Sequence, residues 1–389
     1  MKKPKILFIV GILDSGGVSK AMTSLMNVID RENYDVSLMI LNDEGQMMSL
    51  LPDDIRIITN PAWKALVSAL GGLPYLLRKK PLLVPGHLLK MVLSRMSKAK
   101  AGRLLSRLMP ALDEDFDMIV DFQGQHQLYY MVDKLSAPVK ITFFHNDYAK
   151  WPFYYSADKK YLPKVDHIFT VSENCVKSMQ RIFPDVAGKI ELMENISSPE
   201  IIERLAEEEV DDMRSDVPTF ITIGRVTETK GIELGLQAAS ILKKQGLDFH
   251  WYFLGANENA DYYNGLVDKY DVKDRITFLG VRKNPYPYMK RATLVVHPSK
   301  FEGKSIALDE IKILLKPAVV TNFSTVHDQF EDDYNATICE MTPESLSSSV
   351  LELLNSPELQ EKYRENLLRD RKDNSAEVEK LYRFLKPSK

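Results

Sequence analysis

Arg225 and Lys230 stand five residues apart in the stretch Gly224-Arg225-Val226-Thr227-Glu228-Thr229-Lys230-Gly231. An apolar run, Thr219–Ile223, precedes it, and a helix-period segment, Ile232–Lys244, follows. A strand-to-helix turn of this kind aims free backbone N–H groups at a ligand, and the helix dipole favours an anion there. Arg can hold phosphate oxygens with two parallel hydrogen bonds, and Lys acts as a point charge. A diphosphate suits this set; two exposed cations beside a glycine turn are the plain alternative. A second stretch is Phe301-Glu302-Gly303-Lys304-Ser305-Ile306-Ala307-Leu308-Asp309-Glu310, after the apolar run Leu294–His297 and the turn His297-Pro298-Ser299. Glu302 falls in the loop, and Glu310 falls a little over one turn into the next helix. Carboxylates accept hydrogen bonds from sugar hydroxyls, and the amides of Lys304, Ser305 and Ile306 are expected to stay open for phosphate. A pair of solvated surface glutamates is the competing reading. Their place at the C-terminal edge of an inferred parallel sheet argues against it, because ligands bind there in open α/β folds.

The first half of the chain holds further candidates. Gly16 and Gly17, in Asp14-Ser15-Gly16-Gly17-Val18, lie between the run Lys5–Val10 and the helical segment Ser19–Ile29. Glycines there let the backbone approach a ligand closely, or simply make a tight turn. His145 ends the run Lys140–Phe144 in Phe143-Phe144-His145-Asn146-Asp147 and can reach a hydroxyl group. His126, after Met118–Asp121, and Asp147 are candidates for a second, acceptor-side ligand. Asn195 follows Ile190–Met193 and either lines a hinge or caps the next turn.

The elements that must position these residues alternate throughout. Short Ile-, Val- and Phe-rich runs (Lys5–Val10, Val36–Leu41, Met118–Asp121, Lys140–Phe144, His167–Val171) alternate with helical segments. The pattern restarts at Thr219–Ile223, Phe249–Leu254, Ile276–Leu279, Leu294–His297 and Ala318–Val320, with helices at Ile232–Lys244 and Ile306–Leu314. This predicts an α/β protein of two Rossmann-like α/β/α domains with parallel sheets. The expected boundaries are 1–195, a linker with a solvated acidic helix at 196–217, and 218–370. A last amphipathic helix, Ala376–Leu385 within 371–389, is expected to pack back on the first domain.

One segment departs from the rest. Between Ile57 and Leu112 stand ten basic residues, from Lys64 to Arg107, with no Asp or Glu. On a chain of net charge −3, the remainder is left at about −13. Leu88, Leu89, Met91, Val92, Leu93, Met96, Leu104, Leu105 and Leu108 lie between the charges. A basic amphipathic helix of this type, in an insertion over 57–112, fits an anionic membrane surface; a solvated helical insertion whose apolar face joins the core is the alternative.

The slightly negative net charge excludes a global field for nucleic acid. The two cysteines, Cys175 and Cys339, are far apart and form neither a zinc motif nor a disulfide framework. No run of about 18 uncharged apolar residues exists. Lys2-Lys3 before Ile6–Val10 is read as a buried first strand rather than a secretory leader, since no small-residue cleavage site follows. The expectation is a cytoplasmic protein, peripheral on the inner face of the plasma membrane.

Gly-Arg…Lys-Gly, then Glu-Gly about seventy residues later and a second Glu at eight, resembles the retaining glycosyltransferases of family 4, which have the GT-B fold. The likeness is good from Pro218 to about Leu354 and looser before. Glu-Gly-Lys-Ser-Ile-Ala-Leu-Asp-Glu is similar to the branch found in bacterial capsular and cell-surface polysaccharide clusters. Lys304 and Asp309 stand where many members have aromatic or apolar residues. The resemblance implies a donor held between two domains. Arg225 and Lys230 would hold its diphosphate, Glu302 the transferred sugar and Glu310 the ribose. Gly16, Gly17, Gly224, Gly303, Lys304, Ser305 and Ile306 would complete the donor site. It places His145 close to the transferred sugar, which makes His145, Arg225, Lys230 and Glu302 the catalytic set. UDP is the implied nucleotide, with GDP open, and the acceptor is lipid-linked or a glycan. No carboxylate is an obvious nucleophile, so the family's front-face substitution, with charge stabilised on the leaving diphosphate, is the implied course. No Asp-x-Asp stands in a suitable loop, so neither metal nor cofactor is expected. A GT-B nucleotide-sugar epimerase and a non-catalytic sugar-nucleotide-binding partner subunit remain alternatives. A nicotinamide dehydrogenase is disfavoured because GxGxxG is missing from the first turn.

Overall fold

The computed structural model describes residues 3–14, 16–150, 152–302, 304–371 and 373–385. It divides into two compact units, Met1–Ile196 with Asn374–Lys389, and Ser197–Asp373.

In the first unit the strands are β1 (Lys5–Ile12), β2 (Asp35–Asn42), β3 (Arg56–Ile58), β4 (Met118–Asp121), β5 (Val139–Phe144), β6 (His167–Thr170) and β7 (Ile190–Leu192). They form one sheet in the order β3-β2-β1-β4-β5-β6-β7, and every neighbouring pair is parallel. Ile6 to Val10 are wholly buried, because helices cover both faces of such a sheet and each strand reads as a continuous apolar run. The helices are α1 (Gly17–Val28), α2 (Pro61–Val67), α3 (Leu73–Lys79), α4 (Val84–Met96), α5 (Lys98–Leu108), α6 (His126–Lys134), α7 (Tyr155–Tyr161) and α8 (Glu173–Ile182).

The second unit repeats the design. It opens with α9 (Pro199–Ala206), then β8 (Thr219–Ile223), α10 (Ile232–Lys244), β9 (His250–Leu254), α11 (Ala260–Lys269), β10 (Ile276–Gly280) and α12 (Tyr286–Arg291). β11 (Leu294–His297), α13 (Ile306–Ile313), β12 (Ala318–Thr321), β13 (Thr337–Cys339), α14 (Pro343–Asn355) and α15 (Pro357–Arg369) follow. The sheet order is β10-β9-β8-β11-β12-β13, again parallel throughout. Successive residues face opposite sides of the sheet. Phe220, Trp251 and Phe253 join one core, and Ile221, Ile223, Tyr252 and Leu254 join the other.

In both sheets the strand order reverses around the first strand of the unit. β1 lies between β2 and β4, and β8 between β9 and β11. Crossovers leave such a strand to opposite sides, so a crevice opens beyond the C-terminal ends of β1/β4 and of β8/β11. The segments that leave those ends, Leu13–Gly17 and Phe122–Gln125 in one unit and Gly224–Lys230 and Pro298–Glu302 in the other, contain most of the candidate residues.

Several sequence expectations need correction. The 196–217 stretch is not a free linker. α9 buries Ile202 and Ala206; the cluster Glu207-Glu208-Glu209 and Asp211-Asp212 lies beyond its end and is exposed, with two surface ion pairs, Glu207 to Lys290 at 2.6 Å and Asp212 to Arg282 at 2.7 Å. The tail is a 3-10 turn, Ser375–Val378, and a single α turn, α16 (Glu379–Tyr382), rather than one long helix. It is tied to the first unit: Asn374 donates to the Asn195 carbonyl at 2.8 Å, and Lys380 to that of Leu192 at 3.0 Å. The 57–112 insertion is built from short helices: Pro61, Pro74 and Pro85 fall in the first turns of α2, α3 and α4, Pro81 opens a 3-10 turn, and the Ser97 side chain caps α5.

Candidate functional site

In the second unit, β8 pairs directly with β11, Leu294 opposite Phe220 and Val295 opposite Ile221. This register brings together two loops about seventy residues apart in sequence. Gly231 makes the approach possible. Its φ is +65°, and a Cβ there would lie 1.8 Å from the Pro298 carbonyl oxygen. The Lys300 amide also donates to the Thr229 carbonyl at 2.9 Å.

Across that seam the Lys230 ammonium donates to Glu302 Oε1. The same oxygen faces His297 Nε2 at 3.0 Å and accepts from Ser299 Oγ at 2.8 Å. Burial alone would push the Glu302 carboxyl up, but the His297 hydrogen bond and charge, with Lys230, outweigh it and hold the group down at about 2. Glu302 is therefore a fixed, ionised acceptor whose second oxygen stays available. Gly224, φ +142°, lies against the Lys230 stem, where a Cβ would meet Cε at 3.4 Å. Arg225 stays exposed on the same loop.

Glu310 lies on α13 and is buried, and its Oε1 accepts from the Tyr286 hydroxyl at 2.9 Å. The Ser305 amide, expected to be open for phosphate, is not: it donates to Gln329 Oε1 at 2.9 Å. Ile306 heads α13, whose N-terminus has no side-chain cap. Lys304 Nζ lies 4.0 Å from Asp309 Oδ2, so the two departures from the usual pattern stand opposite each other. Gly303 lies outside the described residues. The ribose contact that the resemblance implies for Glu310 predicts that Glu310→Ala raises the donor KM about tenfold with a smaller change in kcat, as for a contact made equally in ground and transition states. Steady-state kinetics over a donor titration checks this.

The first unit has its own cavity, about 330 Å³, at the β1/β4 crevice. Gly11, Asn42, Gln123, Gln125, His126 and His145 are among its lining residues. Gln125 has φ +62°, a strained conformation for a non-glycine residue at a site. The buried Asp121 carboxylate holds that turn by accepting the Gln123 and Gly124 amides at 3.1 and 3.0 Å. Gly17 is the first residue of α1 and Gly16 its N-cap; a Cβ on Gly16 would meet nothing within 4 Å, so the space above this turn is open.

One reading of this unit is corrected, that of Asp147, and His145 is more constrained than expected. His145 lines the cavity, with Nδ1 3.2 Å from Asn195 Oδ1 and Nε2 2.9 Å from the Phe122 carbonyl. Burial pushes its imidazole down to about 4, so the ring is neutral, carries one N–H and donates to one of these two oxygens. Asp147 is a turn residue, accepting from Ser178 Oγ at 2.6 Å and the Ala149 amide at 3.1 Å. His126 lines the cavity, but its Nε2 is enclosed without a partner, and burial pushes the ring down to about 4. Sequence reasoning missed His297, Ser299, Tyr286 and Gln329. His297 carried a signal: it ends β11 as His145 follows β5, a strand-end position at the crevice.

The comparisons with known proteins agree with this architecture. Residues 204–369, most of the second unit, match the family model described as glycosyl transferases group 1. The fold is GT-B. Anabaena HepE, solved in complex with UDP and glucose, superposes with a TM-score of 0.69 at 14% identity over 98% of this chain and 99% of that one. The alpha-D-kanosaminyltransferase of Streptomyces kanamyceticus is 25% identical over 56% of this chain and 57% of its own length. A Campylobacter jejuni enzyme, N-acetylgalactosamine-N,N'-diacetylbacillosaminyl-diphospho-undecaprenol 4-alpha-N-acetylgalactosaminyltransferase, is 24% identical over 52% and 54%. The chain thus spans about half the length of the curated relatives it matches.

Proposed function

We propose that this protein is a retaining glycosyltransferase that moves a hexose-type sugar from a nucleoside diphosphate sugar, UDP-linked, to a lipid-linked or cell-surface glycan acceptor in bacterial polysaccharide synthesis. The Lys230–Glu302 contact at the β8/β11 crevice carries the reading. It joins a cation suited to a phosphate with a buried carboxylate suited to a sugar hydroxyl. Arg225, Lys230 and the open N-terminal amides of α13 stabilise charge as it develops on the leaving diphosphate. Ser305 serves that helix end by its position and not by its amide. His145, set between the Phe122 carbonyl and Asn195, acts by shape and by placing its neighbours. The cavity at His126 is the acceptor side. No metal or cofactor is part of the proposal. Relatives and neighbours lend support: HepE is solved with UDP, and the Campylobacter enzyme's name includes a diphospho-undecaprenol.

The test is incubation with UDP-glucose and UDP-galactose, with and without a membrane lipid extract, while UDP release is followed. Acceptor-dependent release is the expected result. Binding without release would replace this reading with that of a partner subunit, and interconversion of free nucleotide sugars with that of an epimerase.

The acceptor reading includes a peripheral site on an anionic membrane. No helix among the described residues is long and apolar enough to cross one. α4 exposes Leu88, Leu89, Val92 and Met96 in one stripe, and Leu82 just before it is 94% exposed. Arg78, Lys79, Lys80, Arg95 and Arg107 are exposed on the same run of helices. Lys90, Lys64 and Arg103, whose Nε is buried, are not part of such a face. Lys90 is buried and donates to the Leu66 carbonyl at 2.7 Å, and Lys64 pairs with Asp43 at 2.7 Å. Neutralising Lys79, Lys80, Arg95 and Arg107 is expected to cut sedimentation with anionic vesicles and its salt dependence, at about 1 kcal/mol per charge. Unchanged sedimentation would remove the membrane from the proposal.

A further inference from the structure

Gln329 follows β12, is buried, and directs its whole side chain to the loop that carries Glu302. Its Oε1 accepts the Ser305 amide at 2.9 Å. Its Nε2 donates to the Ser305 carbonyl at 2.8 Å and to Asp309 Oδ1 at 2.9 Å. A carboxamide bonded to both backbone groups of one residue copies the pairing of a neighbouring strand and fixes that residue's backbone. The other Asp309 oxygen lies 4.0 Å from Lys304 Nζ, so one carboxylate ties Gln329 and Lys304 together. Four residues before Gln329, Thr325 Oγ1 donates to the Glu302 carbonyl at 3.1 Å. The span from Glu302 to Asp309 is therefore held at both ends by one short segment, Thr325–Gln329.

We propose that Gln329 is a positioning residue for donor binding. Through Ser305 and Asp309 it sets where the Glu302 loop and the N-terminus of α13 stand, and so sets affinity for the nucleotide sugar. The identity of that ligand rests on the proposed function; the positioning does not. Asp309 is then the anchor that the Gln329 amide requires, which accounts for a carboxylate at this position.

The test uses the full chain. Gln329→Glu keeps the size and the acceptor for the Ser305 amide, but loses the donor to the Ser305 carbonyl and sets two carboxylates against each other. At pH 8 it is expected to raise the donor KM about tenfold, with kcat within about threefold, and to lower the melting temperature, so kinetics are taken well below it. Adding Asp309→Asn restores a donor opposite the new carboxylate, and is expected to bring KM back to within about threefold of wild type, the coupling that a shared contact produces. Gln329→Leu removes the acceptor of the Ser305 amide, so hydrogen exchange at that amide is expected to quicken at least about tenfold without ligand. An unchanged KM in Gln329→Glu, no recovery in the double variant, or unchanged exchange at Ser305 overturns the proposal. If the wild-type protein neither binds nor consumes any nucleotide sugar, the functional reading fails, and the exchange measurement still decides the positioning.

Discussion

Lys230→Ala is expected to lower turnover by about a hundredfold or more, the cost of removing the charged contact proposed to the leaving diphosphate. The substitution leaves Glu302 with two of its three partners, His297 and Ser299, so the loop keeps its place. The accompanying loss of stability is about 1–2 kcal/mol, as for one hydrogen bond to a charged group. Rates of UDP release with saturating acceptor, taken well below the melting temperature, separate the two effects. A wild-type rate would end the phosphate role of Lys230. A pH signature goes with it. The Glu302 carboxyl is depressed from 4.5 to about 2, so its contribution to stability is complete above the ordinary carboxylate range and disappears as pH falls toward 2. Without Lys230 the depression is smaller, so less stability is lost on acidification and the loss is complete at a higher pH. An acid unfolding curve that does not move would count against the ion pair.

Gly231→Ala is expected to destabilise the second unit by about 3 kcal/mol or more, and to weaken donor binding by about a hundredfold. A left-handed backbone costs a non-glycine residue about 1 kcal/mol. The rest comes from overlap, since the new Cβ would lie 1.8 Å from the Pro298 carbonyl oxygen and 2.7 Å from its carbon. Backbone cannot rotate away as a side-chain end can, so the two loops must separate, and Lys230 then draws back from Glu302. Gly246→Ala is the matched control. Its φ is +82° and nothing lies within 4 Å of the added Cβ, so it carries the conformational cost alone, with donor binding unchanged. Calorimetric unfolding and titration with UDP measure both variants. Equal effects at the two positions would mean that the close approach at Pro298 has no bearing on the site.

Most strands were legible because a parallel strand covered on both faces is a plain apolar run; β4, β8 and β11 were read to the residue. β3, β7 and β13 have only three residues each, too few to show any period, and their pairing comes from the neighbouring strand. The tail was read as one helix because Ala376–Leu385 has helical spacing, yet its Tyr382 hydroxyl takes the Asp30 amide at 2.7 Å and its ring stacks on Tyr34. Such contacts to a distant surface hold it as two short turns.

Residue order along the chain was enough for the two-unit α/β plan, the turn at Gly224–Gly231 and the glutamates eight apart, since each is a local pattern of side-chain type and spacing. The partners were not legible. That Glu302 rests on His297, Ser299 and Lys230, that the Ser305 amide belongs to Gln329, and that His145 stands between the Phe122 carbonyl and Asn195 follow from which strand lies beside which. Putting β8 next to β11 closes a gap of about seventy residues, and that adjacency results from the packing of the whole sheet rather than from any local run.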